Sequence, residues 1–139
     1  MNRFLPSILL GLLAAACHRT AAAADVPGTP GIRVELVSKK GMDSLDGEVR
    51  VRFKVKNETA KDITYQGFSE DLPTYAVDVQ TEGAWTQRQI GWCGTGILDF
   101  TLQPGAEMEF DLNVPNDKRT YRAKFGEPLV VTPPVVAEY

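Results

Sequence analysis

Few residues in this chain are of types that carry out catalysis. The 139 residues include two cysteines, Cys17 and Cys93, and a single histidine, His18. Because His18 lies in the N-terminal segment, no histidine is available as a general base for a nucleophile elsewhere in the chain. So few Cys and His residues also exclude a disulfide framework and a zinc site built on several such ligands. We therefore predict a protein that is not an enzyme and that holds no cofactor or metal.

The segment GWCGTG at 91–96 is the one compositional oddity. Its three glycines permit backbone angles that other residues avoid. One interpretation is a pliable loop with a reactive Cys93 thiol, and the other is a glycine-rich bend that tucks Trp92 and Cys93 into the end of the core. The second is favoured because a thiol oxidoreductase needs a resolving cysteine, and Cys17 is removed or acylated in the processing considered next.

The N-terminus has the layout of a secretory signal. Arg3 precedes an apolar run at 4–16 that is too short to span a bilayer comfortably, and small residues follow it. The sequence AAAC at 14–17 resembles a bacterial lipobox with Cys17 as the acylated residue, although Leu13 lies one position too far from the cysteine. The alternative is ordinary cleavage after Ala24. The lipoprotein is preferred because a cysteine directly after an apolar run is otherwise hard to explain.

These features predict a signal peptide over 1–16, or to 24 in the alternative, followed by a flexible tether over 17–31 and one domain over 32–139. The mature protein is expected in the periplasm or cell envelope, attached to the membrane by a lipid on Cys17. After cleavage at Ala24 it would instead be soluble, secreted or periplasmic. The net charge of −3 gives no indication of nucleic-acid binding.

The folded domain is organised around the stretch EVRVRFKVKN at 48–57. Its valines and Phe53 alternate with arginines and lysines, so that a strand here has one apolar and one basic face. The stretch AEMEFDLNV at 106–114 is its mirror, with one apolar and one acidic face. Opposite charges across a strand pair are favourable, so we predict that 49–56 pairs antiparallel with 107–114, with both apolar faces in the core.

Short alternating segments separated by turns make up the rest of the domain. They predict strands near 32–37, 63–68, 75–79, 85–90, 97–102, 120–125 and within 129–138, with turns at 82–83 and 103–105 and a loop at 69–73. No segment after the signal shows helical periodicity over ten or more residues. The pattern predicts an all-β, immunoglobulin-like antiparallel sandwich of seven to nine short strands.

Three stretches of the sequence, VRFKVKN, LQPGAEMEF and GWCGTG, resemble segments of known protein families. The order VRFKVKN, polar turn, then LQPGAEMEF is similar to bacterial exported immunoglobulin-like domains, and in particular to intracellular-proteinase-inhibitor-like β-sandwiches. The GWCGTG segment resembles one found in a set of uncharacterised bacterial exported proteins. The resemblance covers about residues 48–125 and implies the sandwich fold. It does not transfer inhibition to this chain, because no inhibitory loop can be mapped onto its residues.

We therefore expect a non-catalytic exported binding module, with an unknown protein or envelope component as its partner. Aromatic residues in loops and at strand ends are favoured interface anchors, although they are also common core residues. The candidate binding loop comprises Trp92 and Cys93, with Trp85 nearby. The alternatives are a proteinase-inhibitor-like sandwich and a thiol-dependent redox protein that uses Cys93.

Overall fold

The computed structural model describes residues 28–42, 47–88, 92 and 94–139, and these contain strands but no helix. Eleven strands lie in this part of the chain, of which β4, β10 and β11 are only two residues long. In chain order they are β1 Ile32–Gly41, β2 Glu48–Asn57, β3 Ile63–Ser69, β4 Leu72–Pro73, β5 Ala76–Thr81, β6 Ala84–Arg88, β7 Leu98–Leu102, β8 Glu107–Pro115, β9 Thr120–Phe125, β10 Val130–Val131 and β11 Val135–Val136. The prediction of an all-β protein is confirmed.

The first sheet has the order β1-β2-β8 and confirms the predicted pairing. Strands β2 and β8 are antiparallel in a register that sets Phe53 opposite Phe110 and Lys54 opposite Glu109. The apolar residues of both strands are buried, whereas their charged residues lie on the outer face. The hydrophobic alternation fixes this register, because a shift by one residue would turn every apolar side chain to solvent.

Strand β1 is an edge strand of this sheet, and its pairing with β2 is irregular. Its register with β2 shifts between Leu36 and Ser38, where one extra residue bulges out. After the bulge, Lys39 lies opposite Val51, on the inward side of the sheet. The Lys39 ammonium reaches the carbonyl of Val136 at 3.3 Å.

The second sheet has the order β10-β9-β5-β6, and β11 also pairs with β9. Strands β5 and β6 form the hairpin expected from the turn at 82–83. Glu82 and Gly83 have φ angles of 51° and 82°, the left-handed conformation that two-residue hairpin turns require.

The third sheet has the order β4-β3-β7, and it differs from the prediction at one point. The predicted loop at 69–73 contains β4, whose Pro73 pairs with Gly67 of β3. A Cβ atom at Gly67 would lie 2.7 Å from the carbonyl oxygen of Leu72. Only glycine permits so tight a return of the chain, which is why a short strand forms where a loop was predicted.

One core joins the three sheets. Phe110 of β8 is its centre, with ring centroids 5.8 Å from Phe53 of β2, 5.1 Å from Phe125 of β9 and 5.8 Å from Tyr75. Tyr65 of β3 extends the contacts from Phe125 at 6.0 Å. Aromatic side chains from every sheet are therefore packed together, and each sheet buries its apolar face against the others.

The two ends of the domain are tied to this body. At the N-terminus, the amide of Ile32 donates to Thr29 and the amide of Glu58 donates to Gly31, while the Thr29 hydroxyl donates to the carbonyl of Leu129. Residues 29–31, at the end of the predicted tether, thus contact the domain. The predicted signal peptide and the rest of the tether lie outside the described residues. At the C-terminal end, Pro133 and Pro134 separate β10 from β11.

Candidate functional site

The Trp92 side chain contacts the end of the core through one hydrogen bond and two aromatic rings. The indole Nε1 donates a hydrogen bond of 2.8 Å to the carbonyl of Tyr75. The indole also packs edge-on against the Tyr75 ring, with centroids 4.9 Å apart, and lies 6.2 Å from Phe68. The side chain is half-buried. Trp92 therefore packs against the end of the core.

Tyr75 makes this contact rigid. It is 8% exposed, and its hydroxyl donates to the carbonyl of Asp111 on β8 at 3.2 Å. Burial raises the pKa of Tyr75, so the hydroxyl stays protonated and continues to donate. Trp92 is consequently held against a residue that is itself fixed between two sheets.

Trp85 belongs to a different part of the molecule. It lies in β6 opposite Gln80, at the far end of β5 from Tyr75. Gln80 is five positions after Tyr75, which is about 16 Å in extended chain. The structure therefore does not bring Trp85 together with Trp92. Cys93, like Cys17, lies outside the described residues, so the thiol and the lipid anchor stay predictions.

Trp85 takes part in an ionic cluster that sequence analysis missed. Asp78 of β5 is 2% exposed. Its carboxylate accepts hydrogen bonds from Arg122 at 2.9 and 3.0 Å and pairs with Lys124 at 2.9 Å. The Arg122 guanidinium in turn lies 4.2 Å from the centroid of the Trp85 ring. The sequence did show Asp78 as a charged residue between two valines, but its partners are 44 and 46 residues away in the chain.

The basic stripe of β2 is largely neutralised by β8. Arg50 and Arg52 share Asp111, with Arg52 the closer at 2.8 Å, and Lys54 and Lys56 share Glu107 at 2.5 and 3.5 Å. The hydrogen bond from Arg52 lowers the pKa of Asp111, and the one from Lys54 lowers the pKa of Glu107. This charged face joins two strands and leaves little net charge for an anionic ligand.

Shallow grooves lie on the surface of the described part of the chain. One of about 640 Å³ is lined mostly by polar residues, namely Thr64, Gln66, Thr74, Asp99, Thr101 and Glu127. A second of about 520 Å³ lies beside Leu72 and Asp111, and a third of about 170 Å³ lies over Lys54 and Glu107. Within residues 28–42, 47–88, 92 and 94–139, no group of three or more His, Cys, Asp or Glu could hold a metal ion.

Comparison with known proteins identifies no relative. No protein-family model matches the chain, and no match is found among curated proteins or solved structures. Among the described residues, no helix is long and apolar enough to cross a membrane.

Proposed function

We propose that this chain is a non-catalytic binding domain of the bacterial envelope, with an immunoglobulin-like sandwich fold and a lipid anchor on Cys17. The fold proposal is supported by three antiparallel sheets around one aromatic core. Export and anchoring are supported by the apolar run at 4–16 that ends in a small-residue stretch and Cys17.

The observation that carries the binding function is the attachment of Trp92. A rigid all-β body holds the indole at the edge of the core, two residues before the exposed Gly94. Binding proteins commonly use this arrangement, in which a loop is positioned by a rigid scaffold. A half-exposed tryptophan is also among the side chains that contribute most to binding at interfaces.

Mass spectrometry of the mature N-terminus tests export and anchoring. An acylated Cys17 is the expected terminus. A mature chain that begins at Asp25 would refute the anchor while leaving export intact, and an intact Met1 would refute both.

Photo-crosslinking tests the binding function. Gly94 is exposed, and a Cβ atom there would meet no atom within 4 Å, so a photoreactive residue fits at this position. We expect it to give a discrete crosslinked product in envelope preparations, whereas the same residue at exposed Lys61 should not. Identical products from both positions, or none from Gly94, would contradict binding through this segment.

A further inference from the structure

The outer face of the second sheet contains a carboxylate that is shielded from water. Val77 and Val79 of β5 face the core, so Asp78 between them faces outward, yet only 2% of it is exposed. The long side chains of Arg122 and Lys124, from the neighbouring strand β9, lie across it. Both are themselves mostly covered, with 18% and 25% of their side chains exposed.

Stability alone does not account for this cluster. Withdrawing three charges from water is costly, and replacing such ionic groups with apolar residues is often neutral or stabilising. What the cluster does achieve is to fix the Arg122 side chain in one position. Asp78 binds its Nε and a terminal nitrogen, and the guanidinium then lies against the Trp85 ring. The indole is thereby held in a defined place on an open sheet face.

The side chains around Trp85 share a consistent chemistry. Gln80 lies directly opposite it, and Gln87 lies two residues along β6 on the same face. Each amide offers both donors and an acceptor. Arg122 and Lys124 supply two positive charges against the single negative charge of Asp78, in a chain whose net charge is −3. The face is therefore flat, partly aromatic, rich in amides and locally positive.

We propose that this face, formed by Trp85, Gln80, Gln87, Arg122 and Lys124, binds an anionic glycan chain. A sugar ring presents an apolar face that can stack on an indole, and its hydroxyls match the glutamine amides. A carboxylate on the glycan matches the guanidinium and ammonium groups. An acidic peptide fits less well, because peptides bind sheets along a strand edge or through side-chain pockets, whereas this site is an open face. The inference rests on the proposed envelope location and adds a binding face that is separate from the Trp92 segment.

Affinity electrophoresis of the purified protein in gels that contain polygalacturonate, dextran or poly-glutamate tests the proposal. Retardation is expected in polygalacturonate alone, because dextran lacks the charge and poly-glutamate lacks the sugar rings. Trp85→Ala should weaken this binding about tenfold through loss of the stacking contact. Leu98→Ala, which truncates an exposed apolar residue on the third sheet, should leave it unchanged.

A second pair of variants separates site-specific charge from net charge. Lys124→Gln and Lys54→Gln each remove one positive charge, but Lys54 lies on the outer face of the first sheet. Only Lys124→Gln should reduce retardation, and far-UV circular dichroism of both variants checks the fold. Equal effects of the two variants, unchanged binding by Trp85→Ala, equal retardation in poly-glutamate, or no retardation in any gel would each overturn the proposal.

The outcome is independent of the N-terminal measurement. A protein that binds polygalacturonate through Trp85 but begins at Asp25 would refute only the lipid anchor. An acylated protein that does not bind polygalacturonate would refute only the glycan site.

Discussion

Asn57 shows how one buried polar side chain can organise a turn. It has no exposed surface, and its amide nitrogen donates to the carbonyls of Lys61 and Leu102 at 2.8 and 2.9 Å. Its side-chain oxygen accepts hydrogen bonds from the amide and hydroxyl of Thr59. All of its hydrogen-bonding capacity is used, which accounts for asparagine at the end of β2.

We therefore expect Asn57→Ala to lower the free energy of unfolding by about 2–4 kcal/mol, because it leaves buried partners without hydrogen bonds. Asn57→Asp should be at least as damaging, since it turns an acceptor toward two carbonyl oxygens. Urea denaturation measures both. Asn113→Ala, at an exposed position on β8, serves as the control, and an equal loss in that variant would contradict the argument.

Phe53 is a single residue whose substitution tests the contribution of the core to stability. It is fully buried and contacts Phe110. We expect Phe53→Ala to cost about 3–5 kcal/mol, from lost apolar burial and the cavity left behind. The neighbouring Lys54→Ala, which truncates a side chain on the solvated face, should have a much smaller effect in the same urea titration. The reverse ranking would contradict the assignment of faces in β2.

The pairing of β2 with β8 should make stability depend on pH. Hydrogen bonds from Arg52 and Lys54 hold the pKa values of Asp111 and Glu107 below their unfolded values of about 3.9 and 4.3. A carboxylate with a lowered folded-state pKa stabilises the fold above its unfolded pKa, and this stabilisation is lost as pH falls through the folded-state value. The urea midpoint should therefore be nearly constant above about pH 5 and should fall below about pH 4.

Asp111→Asn identifies the source of this fall. The variant should be less stable at pH 7 and should lose less stability between pH 5 and pH 2 than the unmodified protein. Asp99→Asn, which removes a carboxylate that has no ion pair in the described part of the chain, should keep the original pH profile. A steeper decline in Asp111→Asn would contradict the ion-pair explanation.

Strands with a long, regular alternation could be predicted from the sequence. Very short strands, and contacts between residues distant in the chain, could not. Alternation over eight residues fixes the faces of β2, and the complementary charges of β8 identify its partner. Strand β4 escaped prediction because it depends on a close approach at Gly67 rather than on a pattern of its own. The cluster at Asp78 depends on the order β9-β5-β6, which no local pattern encodes. For Trp92, the sequence indicated the anchoring but not its acceptor, the Tyr75 carbonyl.

At the scale of the whole molecule, the shared aromatic core should make the three sheets unfold together. Phe110 of the first sheet contacts Phe125 of the second, and Phe125 contacts Tyr65 of the third, so the opening of one sheet would expose apolar surface of another. Trp85 reports on the second sheet and Trp92 on the end of the core. The variants Trp92→Phe and Trp85→Phe each retain one of these fluorophores, and within each variant the fluorescence and far-UV circular dichroism midpoints in urea should coincide.

A transition of Trp85 at clearly lower urea than the circular dichroism transition of the same variant would contradict this cooperativity. It would show that the hairpin of β5 and β6 opens before the rest of the core. Agreement of the two signals in both variants is the expected result.

Lys39 has a consequence for behaviour at high protein concentration. An outer strand such as β1 can recruit the strand of another molecule, and inward-facing charges and bulges are features that prevent such recruitment. Directly after the bulge between Leu36 and Ser38, Lys39 lies on the same side of the sheet as the buried Val51, with its own side chain exposed. We expect Lys39→Val to promote self-association, seen as a concentration-dependent rise in light scattering, whereas Lys40→Val on the outward side should scatter like the unmodified protein. By this argument, a single lysine opposes edge-to-edge pairing of β1 with a strand of another molecule.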